Sequence, residues 1–148
     1  MQLGSENPQI VLYLNTQIPS LPKNHQALKG AELSHAILEN NNNNWRKVLT
    51  IFAKLCAPND DWRDYLKKEL LQVQQINFDN KLVESAQTHL IAGKANWQLF
   101  EALKANIDAS NQKKWIFFAP NILFTPYPDY RQFPNSMINE CRVKLHNN

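Results

Sequence analysis

Glycine occurs only three times in 148 residues, and cysteine only twice. The first scarcity excludes a phosphate loop, which needs a glycine-rich stretch ending in Lys-Ser or Lys-Thr. Cys56 and Cys141 fall in apolar company on expected helix faces, which points to buried reduced thiols rather than a disulfide or reactive pair. Neither has a nearby His or Cys, and His25, His35, His89 and His146 are dispersed, so no metal or cofactor is expected. No apolar run exceeds a few residues, which excludes a membrane-spanning helix. The first residues, from Met1 to Asn7, lack the basic and apolar regions of a secretion signal, so a cytoplasmic location is expected. The net charge of +3 permits an anionic ligand without demanding one.

What is present suits a soluble globular chain: 43% hydrophobic and 20% charged residues, enough for one α/β domain over 1–148 with a real core. Ile10, Val11, Leu12, Tyr13 and Leu14 form a continuous apolar run that reads as a buried strand. Prolines 19 and 22 make 15–24 a loop. Leu28, Ala31, His35 and Leu38 repeat at helical spacing, with His35 expected as a hydrogen-bonded core residue. The run of five asparagines at 40–44 then reads as a flexible, capping connector.

Trp45, Val48, Leu49, Phe52 and Cys56 predict a second helix ending before Pro58. A third, started by Asn59 or Asp60, carries Trp62, Tyr65, Leu66, Leu70 and Val73, with Asp64 able to pair with Lys68. Asp79 is expected to cap a short fourth helix bearing Leu82, Val83 and Ala86. His89 to Gly93 reads as a strand, and 94–106 as a helix. Trp115 to Phe118 and Ile122 to Thr125 are two further apolar runs, either a hairpin turned at Pro120 or one kinked strand. Pro134 opens a last helix with Met137 or Ile138, Cys141 and Leu145 inward.

Apolar runs alternating with helices predict a three-layer α/β/α fold, with a small, mostly parallel sheet of three to four strands and about six helices. In such a sheet the loops after each strand gather at one edge, where ligands usually bind. That brings Asn15 together with Lys94 and Asn96, and with Tyr127, Asp129, Tyr130 and Arg131. The last loop is stiffened by Pro126, Pro128 and Pro134. Lys94 and Arg131 suit phosphate, Tyr127 and Tyr130 suit base stacking, and Asn15 and Asn96 suit polar base edges.

The same three segments resemble the uracil-DNA glycosylase superfamily. Ile10 to Leu14 running into the Pro-containing loop resembles that family's first strand and catalytic loop. His89 to Lys94 with Trp97 is similar to its strand-to-short-helix step. Thr125-Pro126-Tyr127-Pro128-Asp129 stands where the family has its His-Pro-Ser loop. The resemblance implies a divergent member. No acid lies in 15–24 to activate water, and Tyr127 replaces the histidine, so no complete catalytic constellation is present. Two functions are therefore expected in turn: binding of a nucleobase, nucleotide or single-stranded nucleic acid, or a non-enzymatic protein-protein interaction module. The second would use Tyr127, Tyr130, Phe133 and Pro134 of loop 125–135.

Overall fold

The computed structural model describes residues 1–100 and 121–146, together with the backbone of 116–118. It is an α/β fold around one six-stranded sheet of order β1-β3-β2-β4-β6-β5. The strands are β1 (Gln2–Gly4), β2 (Ile10–Tyr13), β3 (Gln74–Asn77), β4 (Thr88–Ala92), β5 (Ile116–Phe118) and β6 (Ile122–Thr125). β3, β2, β4 and β6 run parallel, and β1 and β5 close the two edges antiparallel. Among the described residues the α-helices are α1 (Gly30–Asn40), α2 (Asn43–Cys56), α3 (Trp62–Lys68), α4 (Lys94–Trp97) and α5 (Asn135–His146).

Strand register sorts the side chains by the period of two. Ile76, Leu12, Leu90 and Leu123 stand in one row across the four parallel strands. All four are buried in the cluster that also holds the inward residues of α1, α2 and α5. The next row, Tyr13, Ile91 and Phe124, faces the opposite way into a smaller cluster with Ala86, Trp97 and Phe100. Helix α2 is the centre of the thick side. Its Val48, Leu49, Ile51, Phe52 and Ala53 are fully buried, because α1, α3 and α5 all pack against it. Removing the Phe52 ring would cost about 3–5 kcal/mol.

The sheet is larger than the expected three to four strands, and mixed rather than mostly parallel. The polar β3 and three-residue β1 add to it, and the β5–β6 hairpin sets an antiparallel pair at one edge. β3 falls between β2 and β4 in the chain and pairs with β2. No helix forms over 79–87. Asp79 instead meets the N-terminal ammonium at 3.3 Å, and the Val83 N–H donates to the Tyr13 hydroxyl.

Helix α3 stops at Lys68 because Leu71 takes a left-handed φ of 72°, so Leu70 and Val73 leave the helical stripe. Its cap is Asp61, accepting from Asp64 N, one or two residues later than expected. The Asp64–Lys68 pair forms at 2.9 Å. In α1 the buried face is Leu33, Ser34 and Ile37, which turns His35 out to solvent. The helix expected over 94–106 closes already at Trp97, with a turn at 98–99; its part beyond position 100 lies outside the described residues, as do Trp115 and Pro120. No helix among the described residues is long and apolar enough to cross a membrane.

Candidate functional site

From β2 the chain first steps to β3 on one side, then returns to β4 on the other. The C-terminal ends of β2 and β4 therefore flank the point where strand order reverses, the usual crevice of open α/β sheets. Three loops leave the sheet there, and they enclose a cleft of about 520 Å³. Asn15 enters from the first, and Gly93, Lys94 and Ala95 from the second. Pro126, Tyr127, Arg131 and Gln132 enter from the third. The volume lies within the range of small-molecule sites.

Each loop is fixed by backbone bookkeeping at the strand ends. Gly93 adopts φ 91°, a region that side chains rarely occupy, and this bends the chain from β4 straight into α4. Its N–H donates to Thr125 O at 2.9 Å, tying the second loop to the third. Trp97 Nε1 donates to both Ile91 O and Thr125 O, at 3.0 and 2.9 Å, so α4 is held across two strands. In the third loop, Asp129 N donates to Tyr127 O, and Phe133 N to Asp129 O. The Asp129 carboxylate also accepts from Arg131 N at 3.2 Å, which winds the loop into a compact turn.

Four of the seven expected residues come together on the cleft: Asn15, Lys94, Tyr127 and Arg131. The other three serve elsewhere. Asn96 is buried and gives its amide to Tyr13 O at 3.0 Å, satisfying the end of β2. Asp129 pairs with Lys47 of α2 at 3.2 Å, and the Lys47 ammonium holds its carboxyl below the usual carboxylate range. Tyr130 points away from the cleft and is 47% exposed. Phe133 is only 1% exposed and belongs to the main core.

The cleft is one-signed. Among the described residues, Lys94 and Arg131 line it with no carboxylate, and neither makes an ion pair. Tyr127 forms a wall opposite Gly93, where an added Cβ would lie 3.8 Å from the tyrosine Cβ. Its hydroxyl is gripped by Asn44 at the start of α2. Asn44 and Lys47 were not legible as site residues, since they lie more than 80 positions away and only the fold brings them close. The asparagine run is also less free than a flexible connector. Asn42 caps α2, and Asn41 bonds both Ser20 N and Ser20 O of the first loop.

Residues 1–146 match DUF6942, a family of unknown function. The chain belongs to that family. The DUF6942 match takes in all six strands and every residue that lines the cleft. No curated protein and no solved structure matches the chain.

Proposed function

We propose that the cleft at the strand ends binds a nucleobase, nucleotide or single-stranded nucleic acid. The observation that carries this reading is the pair of cations, Lys94 and Arg131, without an ion-pair partner among the described residues and beside the ring of Tyr127. The cations suit phosphate oxygens, Arg131 through two parallel hydrogen bonds. The tyrosine ring offers a face to a base, and the Asn15 amide can both donate and accept at a base edge. The glycosylase resemblance accords with this as a divergent base-binding relative, because its three segments are those that border the cleft. Base excision is not part of the proposal. A cytoplasmic setting is proposed with it, supported by the two buried free thiols.

The test is thermal unfolding of the full chain with dTMP, thymidine and inorganic phosphate. A ligand that binds only the folded state raises the melting temperature. The expected order is dTMP above phosphate, with dTMP binding weakened by salt and by Arg131→Ala. No shift with any of the three, at millimolar ligand and low salt, would sink the reading. The second reading, a protein-protein interaction module, rests on Tyr130 and Pro134, which are the exposed members of the proposed patch.

A further inference from the structure

Beside the cleft, the surface carries two aromatic rings interleaved with cations. Tyr130 immediately precedes Arg131 of the cleft and turns its ring outward. Lys54 of α2 lies between that ring and Trp62 of α3, with Nζ 6.0 Å from the first centroid and 4.9 Å from the second. Arg63 places its guanidinium carbon 4.5 Å from the Trp62 centroid. Two shallow depressions meet here, one beneath Tyr130 and one beneath Trp62, and both are bordered by Lys54 and Asn135. The surface from Tyr130 to Trp62 is therefore continuous, and Tyr130 joins it to the cleft as the chain neighbour of Arg131.

The charges on this surface are unbalanced. Nearby carboxylates already have partners: Asp129 has Lys47, Asp60 has Arg142, and Asp64 has Lys68. Asp61 is occupied as the cap of α3. Among the described residues neither Lys54 nor Arg63 has a carboxylate partner; besides the two rings Lys54 meets the neutral Asn135 Oδ1 at 2.9 Å. Burial and the Arg63 charge pull the Lys54 ammonium below its usual range, as expected for a cation lacking a counter-ion.

We infer that the cleft continues into a track for single-stranded nucleic acid, with Tyr130 and Trp62 stacking bases and Lys54 and Arg63 meeting phosphates. The inference rests on the cleft reading given above. Alternating aromatic faces and cations are what a single strand needs, because its bases are unpaired and its backbone carries one charge per nucleotide. A mononucleotide in the cleft leaves Tyr130 and Trp62 without an occupant. A duplex keeps its bases stacked inside and offers these rings nothing. An acidic peptide would satisfy the cations, but brings few planar groups to the rings.

The test uses the full chain and a fluorescently labelled dT12, which forms no secondary structure, with dTMP as the mononucleotide comparison. We expect dT12 to bind at least tenfold more tightly than dTMP, since each stacked base contributes substantially. Tyr130→Ala with Trp62→Leu, a pair that keeps apolar packing at position 62 but leaves no aromatic face, should remove most of that advantage and leave dTMP affinity within about twofold. Lys54→Glu with Arg63→Glu should do the same and flatten the salt dependence for dT12. Arg131→Ala should weaken both ligands. If dTMP binds and dT12 binds no better, the track is wrong and the cleft reading stands. If neither binds, both fall. Displacement of dT12 by poly-glutamate at equal charge would overturn the track in favour of an acidic protein partner.

Discussion

The Tyr127 hydroxyl accepts a hydrogen bond from the Asn44 side-chain amide at 3.2 Å, across 83 positions of sequence. One wall of the cleft is thus fastened to the first turn of α2. Asn44→Ala and Tyr127→Phe each remove this bond, and each should cost about 1 kcal/mol of stability. Their effects should be less than additive, with a coupling of about 0.5–1 kcal/mol in a double-mutant cycle read by urea unfolding. Fully additive losses would mean that the two groups do not interact.

The glycines at 4 and 93 make a matched comparison. Both hold a positive φ, 106° and 91°. An added Cβ at Gly93 finds only Tyr127 carbons at 3.8 Å, whereas at Gly4 it would strike Gln74 O at 2.4 Å. Gly93→Ala should therefore cost only backbone strain, about 1–2 kcal/mol, and Gly4→Ala clearly more. Equal denaturation midpoints for the two variants would refute this account of the β1 edge.

His89 predicts a pH dependence. The Tyr13 hydroxyl accepts from the Val83 N–H and shares a hydrogen bond of 2.8 Å with His89 Nδ1. Burial disfavours the charged imidazole and keeps its pKa below the ordinary 6.5. The unfolded chain takes up the proton first as pH falls, so this group's contribution is complete above pH 6.5. It is lost as pH drops from there through the lower folded-state pKa. Urea midpoints at pH 7.5 and 5.5 should fall more steeply for the native chain than for His89→Asn, whose amide can make the same hydrogen bond without titrating. Parallel slopes would remove His89 from the explanation.

The thiols should be inert while the chain is folded. Burial pushes Cys141 up to about 12 and raises Cys56 as well. Both side chains are buried and free. Ellman's reagent at pH 8 should label neither in the native chain and both after unfolding in urea. Rapid labelling of the native chain would contradict the packing of α5 against α2.

The apolar runs of β2, β4 and β6 were readable because strands buried on both faces need little else than apolar side chains. β3 was not. Its sequence, Gln74-Gln75-Ile76-Asn77, is wholly buried with a single apolar residue. It is tolerated because each amide has a partner. Gln74 reaches Tyr65 and Leu71 N, Gln75 reaches Ser5 O, and Asn77 reaches Gln75. Ser5 lies 70 positions away, and although the other partners are two to nine positions off, no apolar pattern along the chain announces a strand built on such pairs. The spacing of Leu82, Val83 and Ala86 mimicked a helical turn, but these residues simply pack from a loop onto the smaller cluster. For the site, parallel strands implied which loops converge, and these did. Which way each side chain would then point, as with Asn96 turning inward, depended on which strand-end carbonyl needed a donor.

The ties at the strand ends have a kinetic consequence. Asn41 laces the first loop to the junction of α1 and α2, Gly93 N binds the second loop to the third, and Asn44 secures the third. A ligand entering such a mouth has little to rearrange, so a docking step without a slow conformational phase is the natural expectation. Changes to the cleft should then alter mainly how long a ligand stays, and only slightly how fast it arrives.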